Sequence, residues 1–567
     1  MAGMPKSLPG TGFAGLPFRA RRKLSHLRAK LRDAWRGETP ATLFDIHRPQ
    51  EINDLLRRVG QSPIDPRKYR NATPTPDAWK AHLSYQQRPD MRECLPLALT
   101  PRDRGLFLAW QIKHGHREVG FTIEDALSAM YQADRDPSRG LVETYLLQPD
   151  WQIAVPDALS EGGWPRLKRW LQRKYGLNSR WFRQAKLTRV LTRSPDVTVL
   201  GYYRYSSGLQ QAARGMVEAL ERAGLTVGLR DIPGLSRREN VVDRPLDALD
   251  HAPVSIIHAG LDTSADEAYW RAGMARMPGV HRVGYWWWEL EEIPAKWRDR
   301  GDGVDEIWAP TEFIAEAMKV LGKPVLLMPP GVELPDFPRL PKSHFGMNPD
   351  RFTFVIMFDV NSTLQRKNPL AAIRAFRQAF RRDEPVEMVA KMTRPGPNPS
   401  AEVALLRQEA AAAGVRLIEA QYSRAEILAF LAASDCLVSL HRAEGLGLPM
   451  AEAMLLEKPV IATGYSGNLQ FMTAENSYLV DYRRSQIAYD DPPYEKGFAW
   501  AEPSIEHAAR CMRAVVDHRE DAQQRGMRAR EHLLKTYSLE ASGRRMRARI
   551  EAIRDEQATR SRRQHPA

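Results

Sequence analysis

Ser439-Leu-His-Arg-Ala-Glu-Gly-Leu-Gly-Leu-Pro-Met-Ala-Glu-Ala-Met454 is the stretch on which the reading of this chain turns. A strand ends near Leu440, a turn holding Gly445 and Gly447 follows, and Pro449 stands where the first turn of a helix tolerates proline. Glycines let a backbone approach a ligand closely. The helix start beyond them offers unpaired N–H groups and the positive end of a dipole, a setting that suits a diphosphate. Glu444 lies on the turn and Glu452 on the helix, so two carboxylates can reach hydroxyls at two ends of one ligand.

Working outward, short apolar runs alternate with helical stretches. Val197-Thr-Val-Leu-Gly201, Val227 to Leu229, Val254 to His258 and His281 to Trp288 predict strands of one sheet. A proline-rich join follows (Pro329, Pro330, Pro335, Pro338, Pro341). Beyond it Phe352-Thr-Phe-Val-Ile-Met, Val386-Glu-Met-Val-Ala, Arg416 to Ile418, Cys436 to Leu440 and Val460 to Ala462 predict a second sheet, with a helix from Pro369 to Phe380. Such alternation implies parallel, doubly wound sheets. Residues 41 to 190 read as helical: Thr100-Pro-Arg-Asp-Arg and Thr122-Ile-Glu-Asp are helix starts.

The opening stretch resembles the E-x7-E motif of glycosyltransferase family 4, a group of retaining enzymes with the GT-B fold. The resemblance implies that Glu444 contacts the transferred sugar and Glu452 the ribose hydroxyls of a nucleotide-sugar donor. Gly445, Gly447, Leu448 and His441 of the same segment would then lie against the donor. Phe358-Asp-Val-Asn-Ser-Thr-Leu-Gln-Arg-Lys-Asn-Pro369 resembles the family's loop after the first donor-domain strand, where an Arg and a Lys close on the diphosphate. Arg366 and Lys367 match them, although the family more often places its Arg earlier and its Lys before a Gly. Two cations there stabilise charge that grows on the leaving group. Pro459-Val-Ile-Ala-Thr-Gly-Tyr-Ser-Gly-Asn468 resembles the strand and Gly-rich turn after the second glutamate, and Trp500-Ala-Glu-Pro503 the start of the closing helices.

The fold expected is therefore α/β of the GT-B type: two Rossmann-like, doubly wound parallel-sheet domains with an N-terminal helical accessory domain. Its expected parts are a basic segment (1–40), the helical domain (41–190), an acceptor-side Rossmann-like domain (195–335), a donor-binding one (345–510) and closing helices (511–555). On the acceptor side Ser206, Ser207 and Gly208 sit where the family carries a Gly-rich loop facing the donor phosphates. In Gly284-Tyr-Trp-Trp-Trp-Glu-Leu290 a strand's alternation predicts that at least one tryptophan lines the cleft. Glu289, at the end of that strand, stands where related enzymes place a polar residue near the reacting sugar. His258 is expected to be structural.

The resemblance implies transfer with retained configuration, the leaving phosphate helping to deprotonate the acceptor hydroxyl. It implies no metal and no cofactor. Asp134-Arg-Asp136 matches the Asp-x-Asp of metal-using transferases only formally, since it lies in the helical region. Two other functions remain open: a nucleotide-sugar 2-epimerase of the same fold, and a non-enzymatic basic nucleic-acid-binding or scaffold protein. No zinc-finger spacing or RNP-like motif supports the last, so no nucleic acid partner is expected.

The bulk properties set the bounds. With 567 residues, 43% hydrophobic and 27% charged, the chain exceeds one core and is not disordered as a whole. Cys94, Cys436 and Cys511 are far apart, which excludes a disulfide framework and fits a reducing cytoplasm. No run reaches the ~20 apolar residues of a membrane span. The net charge of +14 implies an anionic partner. Leu24, Leu27, Leu31 and Trp35 recur at helical spacing among Arg and Lys, the pattern of a basic amphipathic helix that either lies on an anionic membrane surface or packs on its own domain. The expected partners are a nucleotide-sugar, a saccharide or lipid-linked acceptor, and that surface. The expected setting is exopolysaccharide or lipopolysaccharide synthesis at the inner membrane face.

Overall fold

A computed structural model describes residues 48–58, 60–70, 75, 78–187, 195–205, 207–234, 246–360, 362–393 and 400–564. The basic segment with Leu24, Leu27, Leu31 and Trp35, and also Ser206, lie outside the described residues. The described residues fall into two compact units. One lies within Met1–Ser206, Gly228–Ser255 and Thr263–Val280, the other within Ser207–Val227, Ile256–Asp262 and His281–Ala567.

The first unit is helical up to Gln184 among its described residues. Thr122 opens the helix Ile123–Arg135 with a capping box: its hydroxyl accepts from the Asp125 N–H at 3.1 Å and its own N–H donates to the Asp125 carboxylate at 2.8 Å. The helix expected at Thr100 begins later, at Arg104, because Pro101 to Asp103 form a turn first. Asp134 pairs with Arg104 at 2.6 Å and Asp136 caps the helix Pro137–Leu146, so each aspartate has a structural task.

A repeated module, unnoticed in the sequence, organises this unit. Tyr85 shares its hydroxyl proton between the carbonyls of Leu95 and Pro96, both at 3.1 Å. Tyr145 does the same with Val155 and Pro156, both at 3.0 Å. Pro89-Asp90 and Pro149-Asp150 start the equivalent helices Pro89–Cys94 and Pro149–Ala154. Thr100 and Ser160 close equivalent turns on the Leu97 and Asp157 carbonyls. The equivalent residues Arg92 and Gln152 both grip the end of the helix Ala265–Ala272. Arg92 donates to the Trp270 and Arg271 carbonyls at 2.8 Å, and Gln152 to the Gly273 carbonyl at 2.8 Å. The copies share Tyr-x3-Pro-Asp-x5-Pro-x-Ala-Leu at a spacing of sixty residues, and where side chains differ, as at Arg92 and Gln152, the backbone-directed hydrogen bonds persist.

The first sheet comprises β1 (Val197–Gly201), β2 (Val227–Asp231), β3 (Val254–Gly260), β4 (His281–Trp287), β5 (Glu306–Ala309) and β6 (Val325–Leu327), in the order β2-β1-β3-β4-β5-β6. β4, β5 and β6 pair in parallel, with Val283 opposite Glu306 and Ile307 opposite Val325. The tryptophan row corrects an expectation. Trp286, Trp287 and Trp288 are all buried, at 0%, 8% and 1% exposure. β4 is an inner strand covered on both faces, so alternation merely chooses between two buried sides. Trp288, past the strand end, packs on Trp297 with ring centres 5.4 Å apart.

The second sheet comprises β7 (Phe352–Phe358), β8 (Val386–Met392), β9 (Arg416–Glu419), β10 (Cys436–Ser439), β11 (Val460–Thr463) and β12 (Tyr478–Val480). Its order is β12-β11-β10-β7-β8-β9 and every pairing is parallel. Phe354, Ile356, Met388, Val438 and Ile461 bury against Ile373 and Phe376 of the helix Pro369–Ala379 and Met512 of the helix Ile505–Asp517. Each such side chain contributes about 1.5–3 kcal/mol on leaving water. The chain runs outward from β7 through β8 to β9, then crosses to β10 on the other side. The strand order therefore reverses between β7 and β10, and open α/β sheets bind ligands at that crevice.

Trp500 to Pro503 corrects a second expectation. These residues do not begin the closing helices but form β14 (Ala499–Pro503), antiparallel to β13 (Tyr482–Gln486), with residues 487–498 as the loop. The closing stretch is three helices: Ile505–Asp517, Arg519–Thr536 and Leu539–Gln564. The last is bolted to β5. Arg549 embraces the buried Glu306, whose other partners are the Trp308 indole N–H at 2.7 Å and His281 at 3.4 Å.

Candidate functional site

The loops after β7 and β10 flank the crevice where the strand order reverses. After β7 the chain makes a short helix, Leu364–Lys367, turns at Asn368 with φ of 48°, and enters the helix Pro369–Ala379. After β10 it passes through Glu444 to Gly447, then into the helix Leu448–Leu455 with proline in its first turn. Gly447 holds φ at 89°, the left-handed region where a side chain is costly. A Cβ on Gly467 would stand 2.0 Å from the Gly445 carbonyl oxygen, so the turn after β11 can close on the motif only with glycine there.

Three of the expected residues meet. The Lys367 ammonium is ion-paired with the Glu444 carboxylate, and Arg366 Nη1 lies 3.3 Å from its second oxygen. Arg366 also donates to the Ala443 carbonyl at 2.9 Å and to Ser362 Oγ at 2.8 Å. The backbone fixes Glu444 as firmly: its N–H donates to Ser466 Oγ at 2.9 Å and its carbonyl accepts from Gly467 at 2.9 Å. Burial alone would raise the Glu444 pKa, but Lys367 and Arg366 hold it at about 2. Burial and the neighbouring guanidinium push Lys367 below the usual lysine range, against the pull of Glu444. Lys367, Arg366 and Glu444 thus meet in a largely buried crevice, where electrostatics act strongly.

Glu452 stands apart from this cluster. It is 1% exposed on the helix Leu448–Leu455 and pairs with Arg424 Nη1 at 2.6 Å. Burial raises its pKa and Arg424 opposes the shift. His441 is wholly buried, held by Ser439 Oγ at 3.0 Å, Asn468 Oδ1 at 3.1 Å and the Tyr465 carbonyl at 3.2 Å, so it braces the turn from inside. Burial lowers its pKa, against the pull of Glu444. Gly445 lies beneath the Trp288 carbonyl, and Leu448, half-buried, is the first residue of its helix. Ser207 caps the helix Gly208–Arg222, its hydroxyl accepting from the Gln210 N–H at 3.2 Å. Gly208 opens that helix.

Glu289 joins the cluster through a residue the sequence reading missed. Tyr494, in the loop between β13 and β14, donates its hydroxyl to Glu289 Oε2 at 2.9 Å. Its ring lies 5.9 Å from the Arg366 guanidinium and 5.6 Å from Trp288. The rest of the acidic run is engaged by the same hairpin. Arg484 pairs with Glu291, and the Ala499 N–H donates to Glu292 at 3.3 Å. Only the aromatic after Pro492-Pro493 in a polar loop hinted at Tyr494. Arg424 had no signal at all. His258 accepts from the Trp287 indole at 3.1 Å and stacks on Tyr285, with burial lowering its pKa to about 3, as befits a core histidine.

Residues 311–546 match a family model described as "Family 4 Glycosyltransferase in conflict systems". No curated protein matches the sequence. Among solved structures, Anabaena HepE in complex with UDP and glucose is similar at 12% identity and a TM-score of 0.44, over 63% of this chain and 99% of that one. Sucrose-phosphate synthase from Thermosynechococcus elongatus is similar at 13% identity and a TM-score of 0.47, over 64% and 99%. S. aureus TarM is similar at 14% identity and a TM-score of 0.38, over 53% and 55%.

Proposed function

We propose, from the premise that residues 311–546 match a family 4 glycosyltransferase model, that this chain moves a sugar from a nucleotide-sugar donor to a saccharide or lipid-linked acceptor, retaining configuration and using no metal. One observation carries this reading: Lys367 and Arg366 flank Glu444 at the point where the strand order reverses. As the bond from the anomeric carbon to the diphosphate lengthens, positive charge grows on the sugar and negative charge on the phosphate. The two cations and the start of the helix Leu448–Leu455 stabilise the phosphate, and Glu444 faces the sugar. The acceptor oxygen attacks the face the diphosphate leaves, and its proton passes to the departing phosphate oxygen. Glu452 takes the ribose hydroxyls in place of part of its contact with Arg424.

The three cysteines are free and buried, in keeping with a reducing compartment. Among the described residues no helix is long and apolar enough to cross a membrane. Polysaccharide assembly at an anionic membrane surface is the setting we favour. The family description, which names conflict systems, supports a second setting for the same reaction. The test is turnover against a panel of nucleotide-sugars, with and without saccharide acceptors. Release of nucleoside diphosphate together with a glycosylated acceptor supports the reading. An isomerised donor in the absence of acceptor gives the reaction to an epimerase instead.

A further inference from the structure

The loop between β7 and the helix Pro369–Ala379 carries polar groups that the fold leaves unused. Thr363 Oγ1, Arg366 Nε and Asn368 Nδ2 are buried and lack a hydrogen-bond partner among the described residues. All three can donate. A buried donor without a partner costs about 1–3 kcal/mol, so such a cluster needs a reason.

Asn368 is the most telling of them. It occupies the N-cap position of an 11-residue helix, where asparagine normally accepts from the first turn, yet its side chain makes no cap bond. Its backbone has φ of 48°, a conformation that glycine adopts more cheaply. It is only 6% exposed, and it lines the crevice beside Lys367, Glu444, Ser439, Gly447 and Met450. The residue therefore accepts backbone strain, forgoes capping and keeps an unpartnered amide in the wall of the crevice. A helix N-terminus, a lysine and an unused amide donor together present hydrogen-bond donors and positive potential beside the Glu444 carboxylate.

We propose that Asn368 is a binding residue for the diphosphate of the donor, donating from Nδ2 to a phosphoryl oxygen while the start of the helix Pro369–Ala379 faces the same group. This rests on the nucleotide-sugar reading of the crevice. Lys367 supplies charge, and Asn368 supplies a directed bond.

The test is calorimetric titration of UDP, GDP and ADP into the full chain and into N368G and N368D, with melting temperatures of the unliganded proteins. Glycine keeps the backbone conformation and removes the amide. Aspartate keeps the shape and replaces the amide donor with a negative charge. For whichever nucleotide the wild type binds, we expect N368G to weaken affinity roughly 10-fold and N368D on the order of 100-fold. The unliganded N368G protein should melt no lower than wild type, since an unsatisfied amide and a strained turn are both relieved. Unchanged affinity in both variants overturns the proposal, as does an affinity loss in N368G accompanied by a lower melting temperature, which would mark a structural role. Failure of the wild type to bind any of the three nucleotides overturns the nucleotide-sugar reading itself, and this inference with it.

Discussion

At the scale of single residues, the paired glutamates have different surroundings and should fail differently. Glu444 sits between Lys367 and Arg366, where charge would develop in the proposed transfer, whereas Glu452 pairs with Arg424 on the helix Leu448–Leu455. A contact that strengthens in the transition state shows in kcat, and one made equally throughout shows in KM. Glu444→Gln should lower kcat about 100-fold with donor KM nearly unchanged, and Glu452→Ala should raise donor KM about 10-fold. Steady-state kinetics decide, and equal small effects would remove both assignments. His258 gives a pH prediction. It is neutral in the fold, with a pKa lowered by burial to about 3 from an ordinary 6.5, so the unfolded chain binds its proton first. Its effect is absent above pH 6.5, and stability is lost as pH falls from there toward 3, by roughly 1.4 kcal/mol per unit. His258→Gln, which keeps an acceptor for Trp287, should flatten the decline of melting temperature between pH 6.5 and 4.5. An unaltered slope would show that other groups govern it.

At the scale of elements, most of the strands were legible because their apolar runs are local. Val197 to Gly201, Phe352 to Phe358 and Val460 to Thr463 are buried on both faces and read as unbroken hydrophobic stretches. The hairpin of β13 and β14 was not legible. Tyr482 to Gln486 is polar and largely exposed, and only its pairing with Ala499 to Pro503 makes it a strand. The same limit hid Tyr494 and Arg424, whose importance lies in partners far along the chain. It also misled the reading of Trp286 to Trp288, because alternation separates two faces without saying that both are covered. The repeated module, Tyr-x3-Pro-Asp-x5-Pro-x-Ala-Leu in both copies, was open to reading, but its residues are scattered among unlike neighbours and only their shared hydrogen bonds to backbone show what they do. Two expectations belong to this scale. Tyr494→Phe removes one hydroxyl while leaving a ring over Arg366, so it should lower kcat about 10-fold through Glu289 and leave the melting temperature unchanged. A fall in melting temperature matching the loss of rate would make the hairpin a structural strut. Arg549→Ala strands the carboxylate of Glu306, 2% exposed at the side chain, and should cost about 3 kcal/mol, read in chemical denaturation. A loss under 1 kcal/mol would show that the last helix is held by its apolar face alone.

At the scale of the whole molecule, the described residues form a helical region, two parallel sheets and a C-terminal run of helices, and the proposed chemistry falls on the loops after β7 and β10. The motif around Glu444 was legible because its glycines, proline and acids follow one another along the chain. The companion cations were legible only through resemblance, because nothing in the local pattern of Arg366 and Lys367 says that Glu444 lies opposite. In the proposed reaction these protein cations do what a metal does elsewhere, and the acceptor attacks the face of the sugar that its diphosphate leaves. The most direct measurement is the anomeric configuration of the product, followed by NMR during turnover in excess EDTA. The account predicts undiminished turnover and a product with the same anomeric configuration as the donor. An inverted product, or activity lost to EDTA and restored by magnesium or manganese, would contradict it.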